Sequence, residues 1–554
     1  MKILTGKKWQ NGFLDYYRFP KEYRIQVLAW KNLEKIEDAY YIRPKSFKML
    51  LRYLPVVGFY GLYTKVWSRL REERRNDKYV SCGIGKIIEV ADDKEFKLND
   101  IVAFVAPFHP RLVERLTLPK ELIFNISKEI VSQFLSKEVK EIVFYPLEGS
   151  RAFASLPSLE KRKNLNKWWE EITAWSIYSG REISNELGRK IEKELVREIE
   201  NTDWSKTQKF DISIPTPVKE IEGKEKQVKS NKKRGVLFGF GNYAKTNILA
   251  FSKPFIDITT IHEIDPTQIW RPDASKWDTA PFPRQDEKYD VYFVASYNHT
   301  HIPITLFALK QGAYAVVEKP VAMDYEELKQ LENVLREVGP KVFIGFQKRY
   351  SVFNQWALKD LGVEYGEPIS YHSIVYEISQ PKYFWYSWPV SRSTFFANGC
   401  HQIDHFLYLN NFSKPKDFDI KLLQDNAIEV WIELENGAVF TTVFSEKGSV
   451  RIGPRDHIEL KVPHHNIRIT DNILYLAEDD SRIIRKARIV KTDSYKNMYR
   501  EISKKIFYNQ PGDSIESILV STKIMLDLEE KLQKMKGWGD RYNKAKEKFW
   551  SYLK

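Results

Sequence analysis

Two short motifs carry residue types that can do chemistry. Gly239-Phe240-Gly241-Asn242-Tyr243-Ala244 closes one apolar run, and Val317-Glu318-Lys319-Pro320 closes a later one. The first has the form of a dinucleotide-binding turn. Gly239 permits the tight turn, Gly241 lets backbone amides approach a pyrophosphate, and the small Ala244 lets the following helix sit against its strand. The second places Lys319 at the end of a buried strand, where an ammonium is unusual unless it has a task. Together they predict a bound nicotinamide dinucleotide and a proton-handling lysine, its pKa lowered by a closed site beside a positive ring.

The elements around these motifs are those such a site needs. Strands at 235–240, 255–261, 290–295, 313–317 and 342–346 alternate with helices at 242–251, 302–311 and 325–338. That rhythm predicts a Rossmann, doubly wound parallel sheet. The second strand runs into Ile261-His262-Glu263-Ile264-Asp265-Pro266. Glu263 or Asp265 can bond the adenosine ribose and disfavour a 2′-phosphate, so NAD is expected over NADP, with Glu263 preferred. From about 368 strands follow one another through about 490. The segments 427–434 and 438–444 flank Glu435-Asn436-Gly437, a hairpin signal. A last helix opens near Asp513 with Ile518, Met525, Leu528 and Leu532 on one face.

Residues 233 to about 540 resemble the glucose–fructose oxidoreductase / inositol dehydrogenase (Gfo/Idh/MocA) family. The marks are the glycine turn, Ala295-Ser296-Tyr297-Asn298-His299-Thr300-His301, Glu318-Lys319-Pro320, Ile344-Gly345-Phe346-Gln347-Lys348-Arg349-Tyr350 and Gly399-Cys400-His401-Gln402-Ile403-Asp404, in that order. The resemblance implies a Rossmann domain followed by an α+β domain with an open, mainly antiparallel sheet, and hydride transfer to or from a sugar or cyclitol carbon. It implies Lys319 as proton relay and His401 as its catalytic partner, with the histidine's ordinary pKa suiting it to take a proton near neutrality. Asn298, His301 and Glu318 fall beside the cofactor. Where relatives often carry an aspartate four residues before the histidine, this chain has Ala397. Arg349, Asp404 and Trp385, within the aromatic stretch Tyr383-Phe384-Trp385-Tyr386-Ser387-Trp388, are candidate substrate contacts, although that stretch also suits a domain core. His401, Asp404 and His405 share a helical face, but a fourth ligand is missing and no metal is expected.

Residues 79–125 resemble, over a shorter stretch, the GroES-like domain of medium-chain alcohol dehydrogenases. Gly85-Lys86-Ile87-Ile88-Glu89-Val90, Phe96-Lys97-Leu98-Asn99-Asp100-Ile101-Val102-Ala103 and Leu118-Pro119-Lys120-Glu121-Leu122 carry it, without that family's zinc ligands. The expected organisation is a β-rich, GroES-like domain at 1–150, a helical segment and charged linker at 151–232, a Rossmann domain at 233–355 and the α+β domain at 356–554. A length of 554 residues suits several cores. Two cysteines, Cys82 and Cys400, make no disulfide framework, which fits a cytoplasmic protein. Much of the net charge of +14 comes from residues 1–80, where 18 Lys/Arg face 8 Asp/Glu. The charge can draw phosphorylated substrates or an anionic membrane surface, so peripheral membrane association is open; no nucleic-acid module accompanies it. The apolar run around Met49–Tyr60 is expected as a half-buried strand and turn. A homo-oligomer formed through the exposed face of the second sheet is what the family implies.

The sum is an NAD(P)-dependent oxidoreductase acting on a sugar, nucleotide-linked and destined for surface polysaccharide. A nucleotide-binding scaffold without catalysis and an NAD-dependent glycoside-cleaving enzyme are the alternatives.

Overall fold

The computed structural model describes residues 232–264, 276–378, 386, 389–448, 455–539 and 541–551. Before them it describes 2–5, 8–11, 22–36, 54–55, 57–63, 66, 78–91, 94–106, 115–119, 123–125, 141–143 and 209–211. The expected helical segment at 151–208, the charged linker, Asp265 and Trp385 lie outside the described residues.

The chain forms two compact units. In the first, β1 (Glu22–Ile36), β2 (Lys78–Glu89), β3 (Ile101–Ala106), β4 (Arg115–Pro119) and β5 (Ile123–Asn125) form one antiparallel sheet in the order β4-β1-β2-β3-β5. Its core holds Tyr23, Ile25, Ile84, Ile87, Phe96 and Phe104, and the Tyr23 hydroxyl accepts the Phe96 amide at 3.2 Å.

The second unit contains a six-stranded parallel sheet of β6 (Lys233–Phe238), β7 (Ile256–His262), β8 (Lys276–Asp278), β9 (Val291–Val294), β10 (Tyr314–Val317) and β11 (Val342–Ile344). The order is β8-β7-β6-β9-β10-β11, with every neighbour parallel. Helices cover both faces, so β9 is buried at all four residues and reads as an unbroken apolar run. Helix α1 passes through a π segment, Ala244–Ile248, into Leu249–Ser252. It is followed by α2 (His301–Lys310), α3 (Tyr325–Val338) and α4 (Val352–Leu361). Asp324 caps α3 by accepting the Glu327 amide at 2.8 Å.

The rest of this unit is an eight-stranded sheet of β12 (Ser370–Ile378), β13 (Pro415–Leu422), β14 (Ile428–Leu434), β15 (Val439–Gly448), β16 (Arg455–Val462), β17 (His465–Thr470), β18 (Leu474–Asp479) and β19 (Ile483–Arg488). The order is β13-β14-β15-β12-β16-β17-β18-β19, and only β12 with β15 is parallel. This is the Rossmann-plus-open-sheet architecture expected. Along β14 buried and exposed residues alternate, which leaves Trp431 on the outer face with Ile374 and Tyr376 of β12. Gly437, at φ +87, closes the β14–β15 hairpin where the Asn-Gly signal places it.

Helices also interrupt the run of strands. Helix α5 (Cys400–Leu409) follows β12, and α6 (Asp493–Phe507), not among the expected helices, precedes α7 (Ile515–Met535) and α8 (Arg541–Ser551). Entry to α7 is tied to the Rossmann edge, since Asp513 accepts the Ile344 amide at 2.8 Å. The run around Met49–Tyr60 is helical at 57–63 rather than strand and turn. A proline near a helix start costs no hydrogen bond, and Pro55 lies there. Gly58 and Gly61 let this helix lie close to Val490 and Thr492, and the Thr492 hydroxyl donates to the Val57 carbonyl at 3.1 Å. Among the described residues no helix is long and apolar enough to cross a membrane.

One buried ion pair joins the parallel sheet to α5. Arg349, in the turn after β11, donates from Nε to Asp404 Oδ2 at 2.9 Å and from Nη2 to Oδ1 at 2.5 Å. Ser521 of α7 donates to the same carboxylate at 2.8 Å, and Asp513 lies 3.4 Å from the guanidinium. Removing one partner strands a charge in the core, so Arg349→Ala should lower unfolding free energy by about 3–5 kcal/mol. Urea unfolding of the variant checks this; a loss within experimental error contradicts it.

Candidate active site

A cavity of about 400 Å³ opens at the C-terminal edge of the parallel sheet. It is bounded by the loops after β9, β10 and β11, the inner face of β12 and β16, and the starts of α5 and α6. Sheets of this kind bind ligands at that edge. Gly239, Gly241, Asn242, Tyr243 and Ala244 form the turn from β6 into α1. Gly239 sits at φ +89, and a Cβ there would lie 2.3 Å from the Ala295 carbonyl oxygen. A Cβ on Gly241 would meet nothing within 4 Å, so the turn has room beside it. Glu263 at the end of β7 accepts the Phe240 amide at 2.6 Å, so the carboxylate assigned to a ribose also braces the glycine turn. Nearby, His262 bridges the Ala280 carbonyl at 2.9 Å and Glu287 at 3.1 Å.

The loop after β9 supplies Asn298 and His301 to the cavity wall. His301 lies between the Pro320 carbonyl at 2.8 Å and the Ser296 carbonyl at 3.2 Å, and burial pushes its pKa down to about 4. The Nδ2 of buried Asn298 has no hydrogen-bond partner among the described residues. An orphaned donor facing a cavity fits a bound polar group, since leaving it unpaired is costly. With the space beside Gly241, this donor makes the site fit a dinucleotide. The glycine turn would hold its pyrophosphate, and Asn298 and His301 would flank its reactive end.

Glu318, at the end of β10, accepts the Tyr499 hydroxyl, which lies 3.1 Å from that of Tyr243. Gly345 makes room for this carboxylate, because a Cβ there would lie 2.6 Å from Glu318 Oε1. Lys319 precedes a cis proline and turns its Nζ to the Ala397 carbonyl at 2.9 Å and Asn398 Oδ1 at 3.0 Å. Burial works against this ammonium, but the charges of Tyr386, Cys400, Glu318 and Tyr495 outweigh it and hold its pKa above the ordinary value. This reverses the lowered pKa expected from sequence. Burial pushes the Cys400 thiol up to about 12, so it is neutral near pH 7. Near pH 7 the Ala397 carbonyl, Asn398 and Glu318 do the holding, and Lys319 is a donor.

His401 also lines the cavity, but its electrostatics differ from expectation. Burial, then the charges of Lys319 and Lys348, drive its pKa well below the usual histidine value. It is therefore neutral and a weak base, with Nδ1 lacking a hydrogen-bond partner among the described residues. Arg349 and Asp404, expected as substrate contacts, face each other in the buried pair and do not appear in the cavity wall. His405 points elsewhere again, with Nε2 2.8 Å from Asn354 Oδ1, so the shared helical face of His401, Asp404 and His405 gathers no common ligand.

Sequence reasoning missed several wall residues. Lys348, not Arg349, reaches the cavity, where it pairs with Asp456 at 2.5 Å and Gln402 donates to the same carboxylate at 3.4 Å. In a 3-10 turn adjacent side chains point apart, and Gln347–Tyr350 is such a turn. Glu377 of β12 faces the same cavity, its carboxyl pushed up to about 7 by burial against the opposing charges of Lys319 and Lys491. The alternation of β12 was the only signal available for it. Tyr495 comes from α6, a helix not foreseen.

A glycine turn opening into a helix at the C-terminal edge of a parallel sheet is the arrangement of a dinucleotide-binding domain. Residues 233–346 match the Gfo/Idh/MocA family model, described as an oxidoreductase family with an NAD-binding Rossmann fold, and this stretch is a domain of that type. An 82-residue stretch is 33% identical to D-glucoside 3-dehydrogenase of Escherichia coli (strain K12), covering 15% of this chain. The match spans 23% of that relative's length. Among solved structures, a UDP-N-acetylglucosamine 3-dehydrogenase from Acidithiobacillus ferrooxidans aligns with TM-score 0.44 at 16% identity, over 54% of this chain and 97% of its own. A 3-ketoreductase from Actinomadura kijaniata, solved with NADP and TDP-benzene, aligns with TM-score 0.45 at 14% identity, over 54% and 98%.

The two glycines should separate folding from binding. Gly241→Val should leave the unfolding midpoint unchanged and weaken NADH binding at least about tenfold, a difference of about 1.4 kcal/mol. Gly239→Val should destabilise the protein outright, because both space and φ forbid it. Thermal melts with NADH titrations check the pair, and equal behaviour of the two variants contradicts it.

Proposed function

We propose that this chain is a nicotinamide-dependent oxidoreductase that moves a hydride to or from a carbon of a nucleotide-linked sugar. The observation that carries the proposal is the cavity that gathers Lys319, His401 and Glu377 at the C-terminal edge of an NAD-binding sheet. A sugar is also the class of substrate named for the relative D-glucoside 3-dehydrogenase. The bound nicotinamide supplies the hydride acceptor or donor there.

The side chains then divide the proton work. Lys319, kept as an ammonium by Ala397 and Asn398, donates a hydrogen bond to the oxygen on the reacting carbon and stabilises negative charge on it. Neutral His401 orients that hydroxyl through the ring nitrogen left without a partner. Glu377 takes or returns its proton, because His401, with Ala397 in place of a carboxylate partner, is a weak base. A carboxylate with a pKa near 7 is matched to proton transfer at neutral pH. Assembly through the outer face of the second sheet, with Trp431, Ile374 and Tyr376, is the oligomer we propose.

Turnover of a panel of UDP- and dTDP-sugars with NAD or NADH tests this. Lys319→Ala should lose about 10²–10⁴-fold in turnover while binding NADH as tightly as the native protein. In the oxidative direction native kcat/KM should rise with pH through about 7, as the Glu377 carboxyl ionises, and then level; Glu377→Gln should lose that limb. Unchanged turnover in Lys319→Ala sinks the catalytic assignment. Binding of NADH with no net redox on any sugar would favour the scaffold or the glycoside-cleaving enzyme.

A further inference from the structure

A second cavity, of about 250 Å³, lies beside the first and shares Tyr386 with it. The two differ in charge. The larger holds four cations, Lys319, Lys348, Arg455 and Lys491, against four carboxyls, Glu318, Glu377, Asp456 and Asp471. Two of those cations are spoken for, Lys348 by Asp456 at 2.5 Å and Arg455 by Asp471 at 2.7 Å. Among the described residues the lining of the smaller holds three cations, Arg392, Lys536 and Arg541, and one carboxylate, Glu446, while the charge of buried Glu529 behind it also reaches Arg392 and Lys536.

That surplus is held rather than dispersed. Arg392 is anchored to the Met323 carbonyl and lies over the Tyr542 ring at 4.0 Å. Lys536 and Arg541 lie over the Trp538 ring at 4.6 and 5.1 Å. Among the described residues neither Arg392 nor Lys536 has a carboxylate within ion-pair distance. Burial pulls the Lys536 pKa below its ordinary value, and the charges of Glu446 and Glu529 offset this only in part. Fixed guanidinium groups and an ammonium around one small space recognise phosphate oxygens.

We propose that this smaller cavity binds a diphosphate group, and that the diphosphate of a nucleotide-linked sugar seats there while its sugar enters the larger cavity past Tyr386. This rests on the sugar-nucleotide reading for the source of the diphosphate, but not for the chemistry of the site. The balanced charge of the larger cavity suits a neutral sugar ring, and the surplus of the smaller suits the anion beside it.

The test is calorimetry on the full chain with UDP and, separately, inorganic pyrophosphate, with NADH titrated in parallel. UDP should bind the native protein, and Lys536→Ala/Arg541→Ala should weaken it at least tenfold with NADH affinity unchanged. Glu446→Gln removes the carboxylate in the described lining and should tighten UDP, which a merely misfolded variant does not do. Pyrophosphate binding as tight as UDP, and lost in the same double variant, also supports the site and leaves the nucleoside outside it. Equal UDP affinity in native and double variant overturns the proposal, as does no UDP binding by a protein that binds NADH. UDP binding through these residues without NADH binding keeps this site and sinks the oxidoreductase reading instead.

Discussion

The Arg349–Asp404 pair is the constraint on which the site depends. A guanidinium and a carboxylate buried together are stable only when both hydrogen bonds are made and the remaining oxygens are satisfied. Here Ser521 and Asp513 complete the set, so the turn after β11, helix α5 and helix α7 are fixed to one another. Helix α5 then has one position. Its first turn and the π segment before it, Phe395–Gly399, deliver His401 and Asn398 to the cavity edge where Lys319 follows β10, and the adjacent Lys348 is turned inward to Asp456. The pair lines neither of the two cavities, yet it helps set which residues do.

Electrostatics inside the cavity follow from that placement. A lysine pointed at a carbonyl and an amide oxygen keeps its proton, and burial, helped by the same positive charge, keeps a neighbouring histidine neutral. The proton acceptor therefore has to be found elsewhere. Glu377 is the carboxyl that burial raises toward neutral pH while Lys319 and Lys491 restrain it.

Much of the C-terminal unit was legible in the sequence because its signals are local. The parallel strands are unbroken apolar runs, the hairpin has its Asn-Gly turn, and Gly239 and Gly345 sit where a Cβ would collide with backbone or with Glu318. Most of what escaped depends on three-dimensional neighbours. Motif position cannot say which of Lys348 and Arg349 faces a ligand, since a 3-10 turn decides it. The direction of the Lys319 and His401 pKa shifts depends on burial and on neighbours that approach only in the fold, Tyr386, Cys400 and Glu318 for the lysine and Lys319 and Lys348 for the histidine. Helix α6, which places Tyr495 and Tyr499 at the site, was missed although Tyr495, Met498, Tyr499, Ile502 and Ile506 recur at helical spacing, a local signal that was legible.

The central claim is that the second unit holds a nicotinamide dinucleotide against Lys319. The most direct measurement is titration of the full chain with NADH and NADPH, following energy transfer from its 15 tryptophans to the reduced nicotinamide. The account predicts saturable transfer, tighter for NADH because a carboxylate at the end of β7, Glu263, disfavours a 2′-phosphate. A folded protein that gives no saturable signal with either dinucleotide would contradict it.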